Sequence, residues 1–197
     1  HVKGMPADVI GHSPPIVGHA DALLGSVTAN ARGAKYIDHA KEALGTCPGS
    51  EEVYLALRGL RTLDVRLERH MASGLAMARW LEERPEIARV IHPGLASHPG
   101  HDIWKRDFKG ACGLFCAILK PLSEKALAAF LDHLELFGMG YSWGGYESLV
   151  IPFDPRSYRT ATQWHEPGQA LRFHIGLDAV EDLQQDLATG FTRMQNA

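Results

Sequence analysis

The apolar period of this chain changes at Pro85, and that change limits the folds open to it. Upstream, Leu60, Leu63, Leu67, Met71, Leu75, Ala78 and Leu81 recur every three or four residues, the spacing of one helix face. Gly49-Ser50-Glu51-Glu52 predicts the helix start, with Ser50 as N-cap and acids in the first turn. Pro85 should end it, since proline lacks an N–H and clashes with the preceding turn. Gly59 and Gly74 argue against a single unbroken rod. Downstream, "ARVIHPGL", "GLFCAILK" (113–120) and "SLVIPF" read as strands, the second as a buried one. "LRFHIGLD" (171–178) alternates, with Leu171, Phe173, Ile175 and Leu177 on one side and Arg172 and His174 on the other. Ala126, Leu127, Phe130, Leu131 and Leu134 form a helical face. Asp178-x-x-Glu181 resembles a capping box opening a helix through Val180, Leu183, Leu187, Phe191 and Met194. Strands and helices mixed in this way from residue 86 onward predict an α+β domain.

Composition removes several classes of function. At 197 residues and 22% charged, with a net charge of −3, the chain suits a globular core and offers no basic surface for nucleic acid or an acidic membrane. No apolar run reaches the length of a transmembrane helix. Cys47, Cys112 and Cys116 are odd in number and lack a CxxC spacing, which fits free thiols in a reducing compartment better than a disulfide framework. His92, His98 and His101 cluster in "HPGLASHPGH" without helical ligand spacing, so surface loop histidines are expected there rather than a metal site. The chain starts His1-Val2-Lys3, with neither a Met start nor a signal-peptide pattern, and we expect a piece of a longer protein.

Three stretches carry candidate chemistry. Arg172 sits on an alternating strand whose other side is apolar, so it points to solvent, to a partner or into a cleft. A solvated or salt-bridged surface arginine and a carboxylate-binding fork both satisfy that pattern. In "MGYSWGGYESL" (139–149), Gly140, Gly144 and Gly145 surround Tyr141, Ser142 and Trp143. That composition suits either a ligand loop or a Gly-rich turn with aromatic packing. "HDIWKRDFKGACGLF" (101–115) sets Lys105, Arg106 and Asp107 before a buried strand, where a solvated connector is the simpler reading.

Taken together, "IVGHADALLG", "LALRGLRTLDVRLERH", "HDIWKRDFKGACGLF", "GYSWGGYESL" and "LRFHIGLD" resemble blocks of the cystathionine β-lyase branch of the Cys/Met-metabolism pyridoxal-phosphate (PLP) enzymes, from about Ile16 to the C-terminus. The resemblance implies the C-terminal part of an α/β, aspartate-aminotransferase-like PLP-dependent transferase fold. Residues 1–50 would end the cofactor-binding large domain, with 1–15 atypical. Residues 51–85 would be a connecting helix, and 86–197 a small α+β domain that closes over substrate. It also implies a cytosolic homo-oligomer, tetrameric in the family, that cleaves cystathionine to homocysteine, pyruvate and ammonia. Arg172 would clamp the substrate α-carboxylate, with Tyr141, Ser142 and Trp143 lining the same pocket.

The family's Schiff-base lysine precedes the Gly-His turn, in a Thr-Lys-Tyr segment. Here Ser13-Pro14-Pro15 stands in its place. By the resemblance Ser13 keeps a hydroxyl for the cofactor phosphate, while Pro14 occupies the lysine position without a primary amine. Lys35, in "AKYIDH", imitates the loop but follows it, on the next predicted helix, and Lys3 lies too far upstream. The expectation is a carbon–sulfur β-lyase half that is inactive alone. A noncatalytic oligomerisation module, or a relative of the γ-synthases and sulfhydrylases, stands as the alternative.

Overall fold

The computed structural model describes residues 7–10, 16–22 and 24–197, and its contacts divide the chain into His1–Asp64 and Val65–Ala197. In the first unit, β1 (Ala7–Ile10) pairs antiparallel with β2 (Ser26–Ala29), Ala7 opposite Ala29. Helix α1 (Ala31–Leu44) starts where the Asn30 side chain accepts the Arg32 and Gly33 N–H groups, both at 3.0 Å. It stops at Gly45, whose φ of 61° places it in the left-handed region. Lys35 lies on α1, on the helix after the Gly-His turn as expected. Ser13, Pro14 and Lys3 lie outside the described residues.

The expected rod over 51–85 is two helices, α2 (Ser50–Leu60) and α3 (Leu63–Glu82). Between them the Arg61 N–H bonds to Arg58 O at 3.3 Å, and Thr62 N and Oγ1 both bond to Gly59 O, at 3.1 and 3.2 Å. These i→i−3 bonds, with a hydroxyl capturing a helix carbonyl, end the α-helical ladder. The N-cap of α2 is Gly49 rather than Ser50, and it makes no side-chain cap bond. Helix α3 ends at Glu82, ahead of Pro85.

The second unit is built on a sheet of order β3-β4-β7-β6-β5. Its strands are β3 (Ile87–Ile91), β4 (Leu114–Leu119), β5 (Phe137–Gly138), β6 (Ser148–Phe153) and β7 (Ala170–His174). All neighbours run antiparallel except β5 and β6. Helices α4 (His101–Asp107), α5 (Glu124–Leu131) and α6 (Val180–Gln195) complete it. Phe115, Ala117 and Leu119 of β4, with Leu171 and Phe173 of β7 and then Ile175, share one core with Met77, Ala78 and Leu81 of α3, Phe130 of α5, and Leu183, Leu187 and Phe191 of α6. Period 2 in the strands and 3.6 in the helices meet there. No described helix is long and apolar enough to cross a membrane.

Two local expectations change. The N-cap of α6 is Ala179, without a side-chain bond, so Asp178 does not form the expected capping box. Its carboxylate instead accepts from Ser148 Oγ at 2.6 Å, a tertiary bond that outcompetes the local one. His92, expected on the surface, is buried, and the loop histidines shape turns: Nδ1 of His92 accepts from Gly94 N, Nδ1 of His98 accepts from Gly100 N, and His101 Nδ1 meets Pro93 O at 3.0 Å.

Candidate functional site

Strand β7 carries a second face, opposite the core, and the segment between β5 and β6 folds onto it. Residues paired across a sheet share a face. Arg172 pairs with Cys116 and with Ile151, and His174 with Leu114 and with Leu149, so the two polar side chains stand among apolar neighbours. Burial pushes the Cys116 thiol up to about 12, which leaves it neutral.

Alternate positions along this face hold successive parts of the 139–148 segment. Arg172 Nη2 donates to Tyr141 O at 2.7 Å, with Gly140 O at 3.4 Å and Ser142 O at 3.5 Å. The Tyr141 ring lies 5.9 Å from the guanidinium carbon. His174 meets the Gly144 N–H and the Gly145 carbonyl oxygen. Gly176 passes so close to Tyr146 O and the Glu147 carbonyl carbon that a Cβ there would overlap them. The Gly176 N–H donates to Ser148 Oγ at 3.0 Å, and Ser148 donates in turn to Asp178. The segment itself turns through Gly144, whose φ of 85° suits glycine.

Behind His174, across 5.3 Å between ring centroids, lies His70 of α3, whose Nδ1 bonds to Ile175 O at 2.8 Å. Both rings are 2% exposed. Burial lowers the affinity of each for a proton. For His174 the result is a value of about 4, with the charges of His70 and Arg172 adding to the effect and the Gly145 carbonyl opposing it. For His70 burial is again the main cause, opposed by the Ile175 carbonyl and aided by Arg66.

Of the residues singled out in the sequence, Arg172, Tyr141 and Ser142 come together directly, and Trp143 follows half-buried in the same loop. Tyr141 is 78% exposed. Arg172 has no carboxylate partner among the described residues, and its Nε and Nη1 make no hydrogen bond there. The fork is thus half-buried and anchored through Nη2 alone; a planar guanidinium is of the chemistry that can pair with a carboxylate. His174, Ser148, Asp178 and His70 escaped the sequence reading. The first three stood in quoted strands or caps, and His70 closed the block "LERH".

This mixed α/β fold matches part of solved enzymes of cystathionine metabolism. The chain aligns over 98% of its length with 51% of a crystallised cystathionine γ-synthase from Xanthomonas oryzae pv. oryzae, solved in complex with aminoacrylate and cysteine, at a TM-score of 0.85 and 33% identity. The profile of the Cys/Met metabolism PLP-dependent enzymes matches residues 4–192, starting upstream of Ile16, and the chain belongs to that family. It is 47% identical over 181 residues to a putative cystathionine β-lyase of Rhizobium johnstonii, covering 88% of this chain and 45% of that protein. It is 45% identical over 183 residues to the cystathionine β-lyase of Salmonella typhimurium, covering 91% of this chain and 46% of that protein. The chain thus spans about half the length of the curated relatives it matches.

The family depends on PLP, a ring that withdraws electrons from an amino-acid substrate. Its covalent hold needs a primary amine, and the position assigned to that lysine by resemblance is Pro14. A prolyl nitrogen forms no Schiff base with an aldehyde. At that position this chain does not fit the covalently held cofactor of its family.

Proposed function

We propose that this chain supplies the substrate-binding half of a PLP-dependent carbon–sulfur β-lyase acting on an amino-acid thioether such as cystathionine. Arg172 receives the α-carboxylate, Ser142 and Trp143 line the pocket, and Tyr141 covers its rim. The observation that carries this reading is the anchored, carboxylate-free guanidinium of Arg172 on an apolar sheet face. Residues 1–50 as the end of a cofactor domain, Ser13 as a phosphate ligand, oligomeric assembly and a cytosolic setting belong to the same reading. With Pro14 at the lysine position, the chain alone is inactive.

Calorimetric titration with L-cystathionine tests the proposal. Binding at roughly millimolar affinity is expected, as for a pocket open on one side. It should disappear in Arg172→Ala and for a ligand whose carboxylates are converted to amides. Incubation with PLP and borohydride should leave no reduced adduct in residues 11–20. Equal affinity of wild type and Arg172→Ala, or cystathionine turnover by this chain, would overturn the reading.

A further inference from the structure

Arg172 can present its unspent nitrogens only if the carbonyls that anchor it stay in place. Those carbonyls belong to Gly140, Tyr141 and Ser142, in a segment that lies outside the β-ladder. The next attachment along the chain is His174. Its Nε2 lies 3.1 Å from Gly145 O, and the Gly144 N–H approaches Nδ1 at 3.3 Å and Nε2 at 3.0 Å. In the neutral tautomer with its proton on Nε2, that N–H donates to Gly145 O, and the Gly144 N–H lies against the ring between the two nitrogens, closer to Nε2 than to Nδ1. An imidazolium would set a full positive charge against that N–H. His70 backs the ring from α3, and its own Nδ1–H is committed to Ile175 O.

We propose that His174 is the positioning residue of this site: its neutral imidazole holds Gly144 and Gly145, and through them the Gly140–Ser142 backbone against which Arg172 is anchored. The inference rests on the carboxylate reading above. His174 touches no substrate in this role. It sets the loop, the loop sets the arginine, and the arginine meets the ligand.

Two variants of the whole chain separate this role from mere packing. His174→Phe keeps a buried ring and removes both hydrogen bonds. His174→Gln keeps one donor and one acceptor near the Nε2 position. Amide hydrogen exchange at Gly144, followed by NMR, should speed up by about tenfold or more in the Phe variant and stay near wild type in the Gln variant. L-cystathionine affinity should fall about fivefold or more in His174→Phe and recover in His174→Gln. Unchanged Gly144 exchange in His174→Phe would overturn the proposal. So would loss of protection with cystathionine affinity intact. Absence of cystathionine binding in the wild-type chain would refute the carboxylate reading and this inference with it. Binding that is lost in Arg172→Ala but kept in His174→Phe would refute the inference alone.

Discussion

Acidification should destabilise the Val65–Ala197 unit through His174. An unfolded histidine binds its proton near pH 6.5, whereas the folded His174 holds out until about pH 4. Between those values the unfolded state carries one more proton, so stability falls as pH falls. Above pH 6.5 both states are neutral at this residue and it adds no slope; below pH 4 both are charged and the loss levels off. A gap of that size, at about 1.4 kcal/mol per pH unit, amounts to about 3 kcal/mol. The groups facing the ring set the direction: burial dominates, the Gly145 carbonyl opposes it, and His70 from α3 and Arg172 on the same strand further disfavour a positive charge. His70 and His92, also lowered by burial, act in the same sense. All four tryptophans, at 80, 104, 143 and 164, lie in this unit, so their fluorescence reports its unfolding. Urea titrations at pH 7, 5.5 and 4 should show wild type losing about 3 kcal/mol more than His174→Phe over that range. Carboxylate protonation affects both chains alike and cancels in the difference. Parallel losses in the two would refute the assignment to His174.

Two further substitutions test the tertiary bonds around the sheet. Ser148→Ala leaves the Asp178 carboxylate and the Gly176 N–H without the hydroxyl they share, at a cost of about 2–4 kcal/mol read from the urea midpoint at pH 7; a change within about 0.5 kcal/mol would refute it. Asp186 of α6 accepts the Glu135 N–H at 3.1 Å and the Leu136 N–H at 2.8 Å just before β5. Asp186→Ala should cost about 3 kcal/mol in the same assay, and Asp186→Asn should recover part of that because it keeps one acceptor, whereas equal losses in both would refute the role.

The fold was legible where one period ran uninterrupted. "LRFHIGLD" announced β7, "GLFCAILK" announced β4, and the Val180–Met194 stripe announced α6, because burial on one face imposes the pattern directly. Legibility failed where a local pattern met a distant partner. Asp178-x-x-Glu181 reads as a cap from neighbours alone, yet Ser148, thirty positions upstream, takes the carboxylate. Gly59 and Gly74 argued against an unbroken rod, but the stripe across Leu60 and Leu63 did not place the break at Arg61-Thr62, since hydrophobic spacing does not record a hydroxyl bonding to Gly59 O. At the site, periodicity alone favoured a solvated or salt-bridged surface position for Arg172, and resemblance supplied the carboxylate role for Arg172 and its neighbours. His174 was placed on Arg172's side of the strand, but period 2 says only that a residue faces away from the core, not what will cover it.

What covers that face follows the strand's own register. Arg172, His174, Gly176 and Asp178 step along one side, and they meet residues 140–142, 144–145, 146–147 and 148 in the same order. The segment moves on two or three residues at each step, bending over 144–147 as it follows β7 and the residues after it. Each position then has a different demand: a cation for three carbonyls, a ring with one donor and one acceptor, a bare backbone where a Cβ would collide, and a carboxylate for a hydroxyl. A one-residue slip of β7 would present Leu171, Phe173, Ile175 and Leu177 to the loop and break all four attachments at once. The core residues that set the strand's register therefore also set the geometry of the arginine, which ties the stability of the sheet to the carboxylate recognition proposed for it.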